Sequence, residues 1–176
     1  MLQPRPPIVV ILGHVDHGKT TLLDSLRKTN LAAREVGGIT QSTHAFQLTT
    51  KDQQPITFID TPGHAAFSQM RTRGGKIADI AILVVAATDG VMPQTKESIT
   101  TIKSAGIPMI VAINKIDILG ASVDTIKAQL TENGVLVEGF GGNVPVVAIS
   151  AKTGTGLPEL LEMIHLVSSL NPPQAD

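Results

Sequence analysis

Short apolar runs alternate along the chain with stretches whose apolar residues recur every three or four positions. Ile8-Val9-Val10-Ile11-Leu12 is rich in β-branched residues and stops at Gly13, the pattern of a strand buried on both faces. Residues 20–28 follow with Leu22, Leu23 and Leu26 on one helical face, so a helix is expected there. Residues 44–49 and 56–59 read as two strands joined by the polar turn Lys51-Asp52-Gln53-Gln54-Pro55. Residues 80–86 and 109–113 are continuous apolar strands, and 144–149 is another. Helices are expected at 95–104, with Ile99 and Ile102 inward, at 123–130 and at 157–170. Residues 30–43, with Gly37-Gly38 and few apolar anchors, and the glycine-rich 134–142 read as loops on the surface.

Strands that alternate with helices imply a mostly parallel sheet covered on both faces, an α/β three-layer sandwich of about six strands. The single hairpin connection supplies one antiparallel edge strand. One domain over 8–170 accounts for the pattern, with linkers at 1–7 and 171–176; Pro172-Pro173 would stop the last helix.

Composition narrows the function classes. A chain of 176 residues is long enough to bury roughly 70% of the surface its unfolded form exposes. It has no cysteine, which excludes disulfides and thiolate metal sites and fits a cytoplasmic location. Fourteen basic against 15 acidic residues leave a net charge of −1, so nothing attracts nucleic acid or an anionic membrane globally. The longest apolar run, 80–87, is too short to span a bilayer. With no Trp or Tyr and four Phe, an aromatic platform for single-stranded RNA is not expected. A monomer is expected.

Candidate chemistry enters at the end of the first strand. Gly13-His14-Val15-Asp16-His17-Gly18-Lys19-Thr20 fits G-x-x-x-x-G-K-[ST] between a strand and a helix, the context that makes a phosphate-binding loop. Its glycines let successive N–H groups converge on phosphate oxygens, and the helix N-terminus adds partial positive charge. Lys19 is expected on the β- and γ-phosphates, Thr20 on Mg²⁺, and Thr21 beside the phosphates. His14 and His17 lack the partner ligands a zinc site requires.

Asp60-Thr61-Pro62-Gly63 follows the strand 56–59. Asp60 can hold a water on Mg²⁺, which favours octahedral oxygen coordination. Gly63 can bring its N–H against the γ-phosphate with no side chain in the way. Thr40 is the candidate second magnesium hydroxyl, in a loop that a γ-phosphate would order.

Asn114-Lys115-Ile116-Asp117 follows the strand 109–113. The Asp117 carboxylate can accept from both N1–H and the exocyclic amine of guanine, a donor pair that adenine lacks. A site built on such bonds can reject the wrong base by ~10⁴–10⁵. Asn114 would brace the pocket, the Lys115 stem would cover a base face, and Ser150-Ala151-Lys152 would supply the Ala151 N–H to guanine O6. The implied ligands are GTP and GDP with Mg²⁺. An ATP-using P-loop kinase is opposed by Asp117 and Ser150-Ala151-Lys152; a module that binds nucleotide without hydrolysis is opposed by Asp60, Thr40 and His64, whose imidazole next to Gly63 is within reach of a water in line with the γ-phosphate.

Together these motifs resemble the translational GTPases, a P-loop NTPase family with a small-G-protein-like fold. The phosphate loop and Asp60-Thr61-Pro62-Gly63-His64 are their pattern. Gly37-Gly38-Ile39-Thr40-Gln41, residues 60–74, Asp89-Gly90-Val91-Met92-Pro93-Gln94-Thr95 and Asn114-Lys115-Ile116-Asp117 resemble the bacterial initiation-factor branch rather than the elongation factors, which differ at 37–41 and 65–74. The elongation-factor type is the alternative. The resemblance covers about residues 5–170.

It implies GTP hydrolysis, slow alone and stimulated by large-subunit ribosomal RNA, with His64 orienting the attacking water as base, charged donor or positioner. It also implies that initiator tRNA is met only through domains that are absent here, and that a monovalent cation binds near Asp16. Val15 and Ile39 read equally as an apolar gate on His64 or as ordinary loop packing. Arg71, Arg73 and Lys76 read as a solvated helix face or as a contact to ribosomal RNA. No internal arginine finger is evident, and such a group is worth about 10³–10⁵ in rate.

Overall fold

The computed structural model describes residues 3–4, 6–13, 18–28, 34–35, 44–49, 55–60, 78–170 and 174–175. In chain order the elements are β1 (Gln3–Pro4), β2 (Ile8–Gly13), α1 (Lys19–Lys28), β3 (Arg34–Glu35), β4 (His44–Thr49), β5 (Pro55–Asp60), β6 (Ile80–Ala86), α2 (Pro93–Ala105), β7 (Met109–Asn114), α3 (Val123–Glu132), β8 (Val146–Ala148), α4 (Leu157–Leu170) and β9 (Gln174–Ala175). The main sheet has the order β3-β4-β5-β2-β6-β7-β8. Strands β5, β2, β6, β7 and β8 run parallel. Strand β4 is antiparallel to β5, and β3 to β4. The sheet is therefore the expected mostly parallel one, extended by the two-residue piece Arg34–Glu35. That piece lies inside the segment expected to be a loop.

Each continuous apolar run is two interleaved faces, because side chains alternate along a strand. Val9 and Ile11 of β2, Ile80, Ile82 and Val84 of β6, and Ile110 and Ala112 of β7 meet Leu22 and Leu26 of α1 and Leu160 and Ile164 of α4. Val10 and Leu12, Ala81, Leu83 and Val85, and Val111 and Ile113 meet Ile99 and Ile102 of α2 and Ile126 and Leu130 of α3. Burying each such Leu or Ile stabilises the fold by about 1.5–3 kcal/mol. This two-sided burial leaves β2 with no polar face and fixes it as the central strand.

The helix ends follow from local chemistry. Helix α2 starts earlier than its apolar spacing suggests, because Pro93 suits the first turn and Thr95 Oγ1 accepts from the Met92 N–H at 3.1 Å. It ends at Gly106, whose φ of 69° is the left-handed cap. Ser122 caps α3, its hydroxyl accepting from Thr125 N at 3.3 Å. At the start of β2, Asp79 Oδ2 accepts from Ile8 N at 2.8 Å, and Pro7 O accepts from Thr57 N at 2.9 Å. The stretches 1–7 and 171–176, read as linkers, contribute a two-residue antiparallel pairing, Gln3 with Ala175 and Pro4 with Gln174.

The 134–142 segment differs from the expected surface loop. Val135 and Val137 are buried at 1% and 0% exposure within the core under α2 and α3. The glycines obscure a two-residue alternation in the sequence, with Leu136 pointing outward at 52%. The turn closes on itself: Val144 N donates to Leu136 O at 3.1 Å and Glu138 N to Val144 O at 3.0 Å. Gly142 lies so close to this strand-like piece that a β-carbon there would overlap the Leu136 carbonyl. Gly142→Ala is accordingly expected to lower unfolding stability by about 1–3 kcal/mol, the usual cost of forcing atoms into a filled site. Denaturant melts check this, and a variant as stable as the parent would contradict the packing described.

Candidate functional site

The sheet order places the site before any side chain is considered. Strand β2 has β5 on one side and β6 on the other, so successive connections leave its carboxyl end in opposite directions. That reversal opens a crevice where ligands bind in open α/β sheets. Gly13 at the end of β2, Asp60 at the end of β5, Asn114 at the end of β7 and Ser150 just beyond β8 share this edge, because the four strands are parallel.

The amino-terminal half of the phosphate loop, His14, Val15, Asp16 and His17, lies outside the described residues, as do Thr40, Gly63 and His64. So do Val15's proposed partner Ile39 and the basic trio Arg71, Arg73 and Lys76. Gly13 is paired with Val84 in the β2–β6 register. Gly18 precedes α1 and its carbonyl accepts from Leu22 N at 2.7 Å, so the helix N-terminus begins at the loop. Lys19, partly buried, and Thr20 are the first two residues of α1. Asp60 pairs with Ile11 in the β5–β2 register and with His44 on the other side, which brings its backbone beside the strand that leads into the loop.

The base motif is described completely. A cavity of about 320 Å³ is lined by Gly18, Thr21, Asn114, Lys115, Asp117, Ile118 and Lys152. Thus the phosphate loop's last glycine and the residues of two other sequence motifs share one concavity. Ser150 Oγ donates to Asp117 Oδ1 at 2.7 Å and accepts from Thr153 N at 3.2 Å. Because Ser150 is 1% exposed, it sets the orientation of a carboxylate that is itself exposed. Lys115 is the one non-glycine residue with positive φ among the described residues, at 64°. Side chains seldom adopt this left-handed conformation unless surrounding structure enforces it. Here it turns the chain sharply out of β7, and the Ile118 N–H to Lys115 O bond at 3.2 Å closes the turn. That turn carries Asp117 to the cavity.

Asn114 is 3% exposed. Its Oδ1 accepts from Ala151 N at 2.9 Å, so the amide expected to face guanine O6 is held here by Asn114. On the other side, a β-carbon at Gly18 would overlap Asn114 Nδ2. Gly18, with φ of 95°, thus has a second reason to be glycine beyond bending the phosphate loop: it makes room for the base motif. Ile118, half-exposed, also lines the cavity. Neither the Asn114–Ala151 nor the Gly18–Asn114 contact is legible in the sequence, since each arises between segments distant along the chain, 37 positions apart in the first case. Thr21, expected beside the phosphates, lines this same cavity. Among the described residues no group of three His, Cys, Asp or Glu is arranged to hold a metal ion.

Fold and site together define a guanine-nucleotide-binding P-loop domain. Residues 5–169 match the model of the family described as Elongation factor Tu GTP binding domain, and the chain belongs to that family. It is 58% identical over 97% of its length to Translation initiation factor IF-2 of Roseiflexus castenholzii, covering 23% of that protein. To Translation initiation factor IF-2 of Thermus thermophilus it is 55% identical over 99% of its length, covering 30%. The chain therefore spans about a quarter of the length of these relatives. The crystal structure of GDP-bound aIF5B from Aeropyrum pernix superposes with a TM-score of 0.75 at 34% identity, covering 96% of this chain and 36% of that one.

Proposed function

We propose that this chain is the GTP-binding and GTP-hydrolysing domain of a bacterial translation initiation factor. It would switch between GTP and GDP states to control initiator tRNA and ribosomal subunit joining. The observation that carries this reading is the cavity that joins Gly18 to Asn114, Lys115, Asp117 and Lys152, in a chain more than half identical to factors of that name. Contact with ribosomal RNA and initiator tRNA belongs to the longer protein. No helix among the described residues is long and apolar enough to cross a membrane, and a cytoplasmic role suits a factor of this kind.

Phosphates sit at the N-terminus of α1, held by the N–H groups of 13–18, by Lys19 and by Gly63. Guanine enters the cavity with N1–H and its amine toward Asp117 and its O6 toward the Ala151 N–H, which it would share with Asn114 Oδ1 in a three-centre bond. Lys115 and Lys152 flank the base. Thr20, Thr40 and Asp60, the last through a water, would hold Mg²⁺. Hydroxyl and carboxylate oxygens are the hard donors this ion favours, and Thr20 and Asp60 sit at the one sheet edge. When bound, magnesium neutralises charge on the β- and γ-phosphate oxygens. Asp16 would add a monovalent cation nearby.

His64 orients the attacking water. Phosphoryl transfer depends on position and charge stabilisation more than on covalent chemistry. A domain without its own arginine finger therefore turns over slowly until the ribosome fixes His64.

Asp117→Asn is expected to weaken GDP binding roughly 10- to 100-fold, the worth of a hydrogen bond to a charged group, while improving xanthosine diphosphate binding. With Ser150 still donating to the side-chain carbonyl, the new amide would face the 2-oxo group of xanthine. Unchanged GDP affinity in calorimetry would remove Asp117 from base recognition. His64→Ala in the full-length factor is expected to keep GTP binding and lose ribosome-stimulated hydrolysis in single-turnover assays. Full stimulation in that variant would remove His64 from the reaction.

A further inference from the structure

Helix α1 carries a serine whose hydroxyl is used in an unusual way. A helical serine ordinarily bonds back to the carbonyl one turn earlier. Ser25 Oγ instead donates to Ala151 O at 2.6 Å, a partner 126 positions away. Ser25 lies between Leu22 and Leu26, both 0% exposed, so the helix cannot roll to release it. Ala151 is 2% exposed, and no water could easily replace a lost donor there. Its N–H side is held by Asn114 Oδ1 at 2.9 Å, and the preceding carbonyl, of Ser150, accepts from Gly154 N at 2.8 Å. Ala151 is thus gripped from opposite sides, by the base motif and by the helix that begins the phosphate site.

We propose that Ser25 is a positioning residue for guanine recognition. It fixes the Ser150-Ala151-Lys152 turn to the phosphate-binding helix, so that the Ala151 N–H, which already donates to Asn114 Oδ1, is set to share its hydrogen with guanine O6 in a three-centre bond when phosphates occupy the N-terminus of α1. Ser25 touches neither base nor phosphate; it acts through the Ala151 backbone. The inference rests on the reading that this amide serves the 6-oxo group.

The test compares GDP with 6-thioguanosine 5′-diphosphate, which keeps the phosphates, the N1–H and the 2-amino group but replaces the 6-oxo acceptor by a thiocarbonyl sulfur, a much weaker acceptor. Alanine is the better helix former, so Ser25→Ala removes the tether without weakening α1. The expected result for Ser25→Ala is an affinity loss of about tenfold for GDP, through faster dissociation, against less than about twofold for the 6-thio analogue, on the scale of one hydrogen bond. Ser25→Thr, which keeps the hydroxyl, is expected to restore GDP affinity. An equal loss for both ligands would mean a general structural role and would overturn the proposal, as would unchanged GDP affinity. A parent protein that binds the two ligands equally well would instead refute the O6 reading itself, which separates the two failures.

Discussion

A buried amide at the end of an apolar strand organises this domain. Strand β7 delivers Asn114 into an interior where an unsatisfied polar group costs about 1–3 kcal/mol, so the side chain has to be satisfied by whatever surrounds it. Its oxygen takes the Ala151 N–H, and its nitrogen lies against Gly18. Three segments far apart in sequence are thereby brought within a few ångströms: the phosphate loop, the base motif and the turn after β8. Ser150 to Asp117 and Ser25 to Ala151 O tie the turn to the base motif and to α1 as well, but only Asn114 meets both the turn and Gly18.

The sheet makes that junction possible. Parallel strands bring every connection to one edge, and the reversal at β2 opens a crevice at that edge. The two cores are insulated from the site because β2, β6 and β7 spend their alternate side chains on opposite layers. Rigidity below holds Gly18 and Asn114 at the cavity wall and Ala151 buried behind it. Lys115 in its left-handed conformation and Ser150 beside Asp117 contribute by constraint: each limits where the Asp117 carboxylate can be. The relatives, IF-2 proteins about four times longer, carry this unit within a larger chain.

Much of this was legible in the sequence, for physical reasons that can be named. The strands β2, β6 and β7 announce themselves because burial on both faces admits almost no polar residue. The site motifs are legible because phosphate and guanine each demand particular donors at particular spacings. Three features were hidden. Arg34–Glu35 carries no hydrophobic pattern, since a two-residue edge pairing is made by backbone groups alone. Val135 and Val137 were masked by the glycines around them, whose role is close approach rather than exposure. The Ser25–Ala151 and Gly18–Asn114 contacts depend on tertiary placement, and a helical serine or loop glycine has no sequence mark that points to such a partner. The assignments to Thr40, Gly63 and His64 lie outside the described residues and rest on the motif chemistry.

We propose that the cavity beside Gly18 selects guanine through Asp117 and the Ala151 amide. Titration calorimetry of the isolated chain with GDP and with ADP, in the presence of magnesium, tests it most directly. The two ligands share every phosphate contact and differ only at the base. GDP is expected to bind more tightly by about 10⁴-fold or more, because the wrong base leaves hydrogen-bonding groups unpaired. Comparable affinities for GDP and ADP would contradict it.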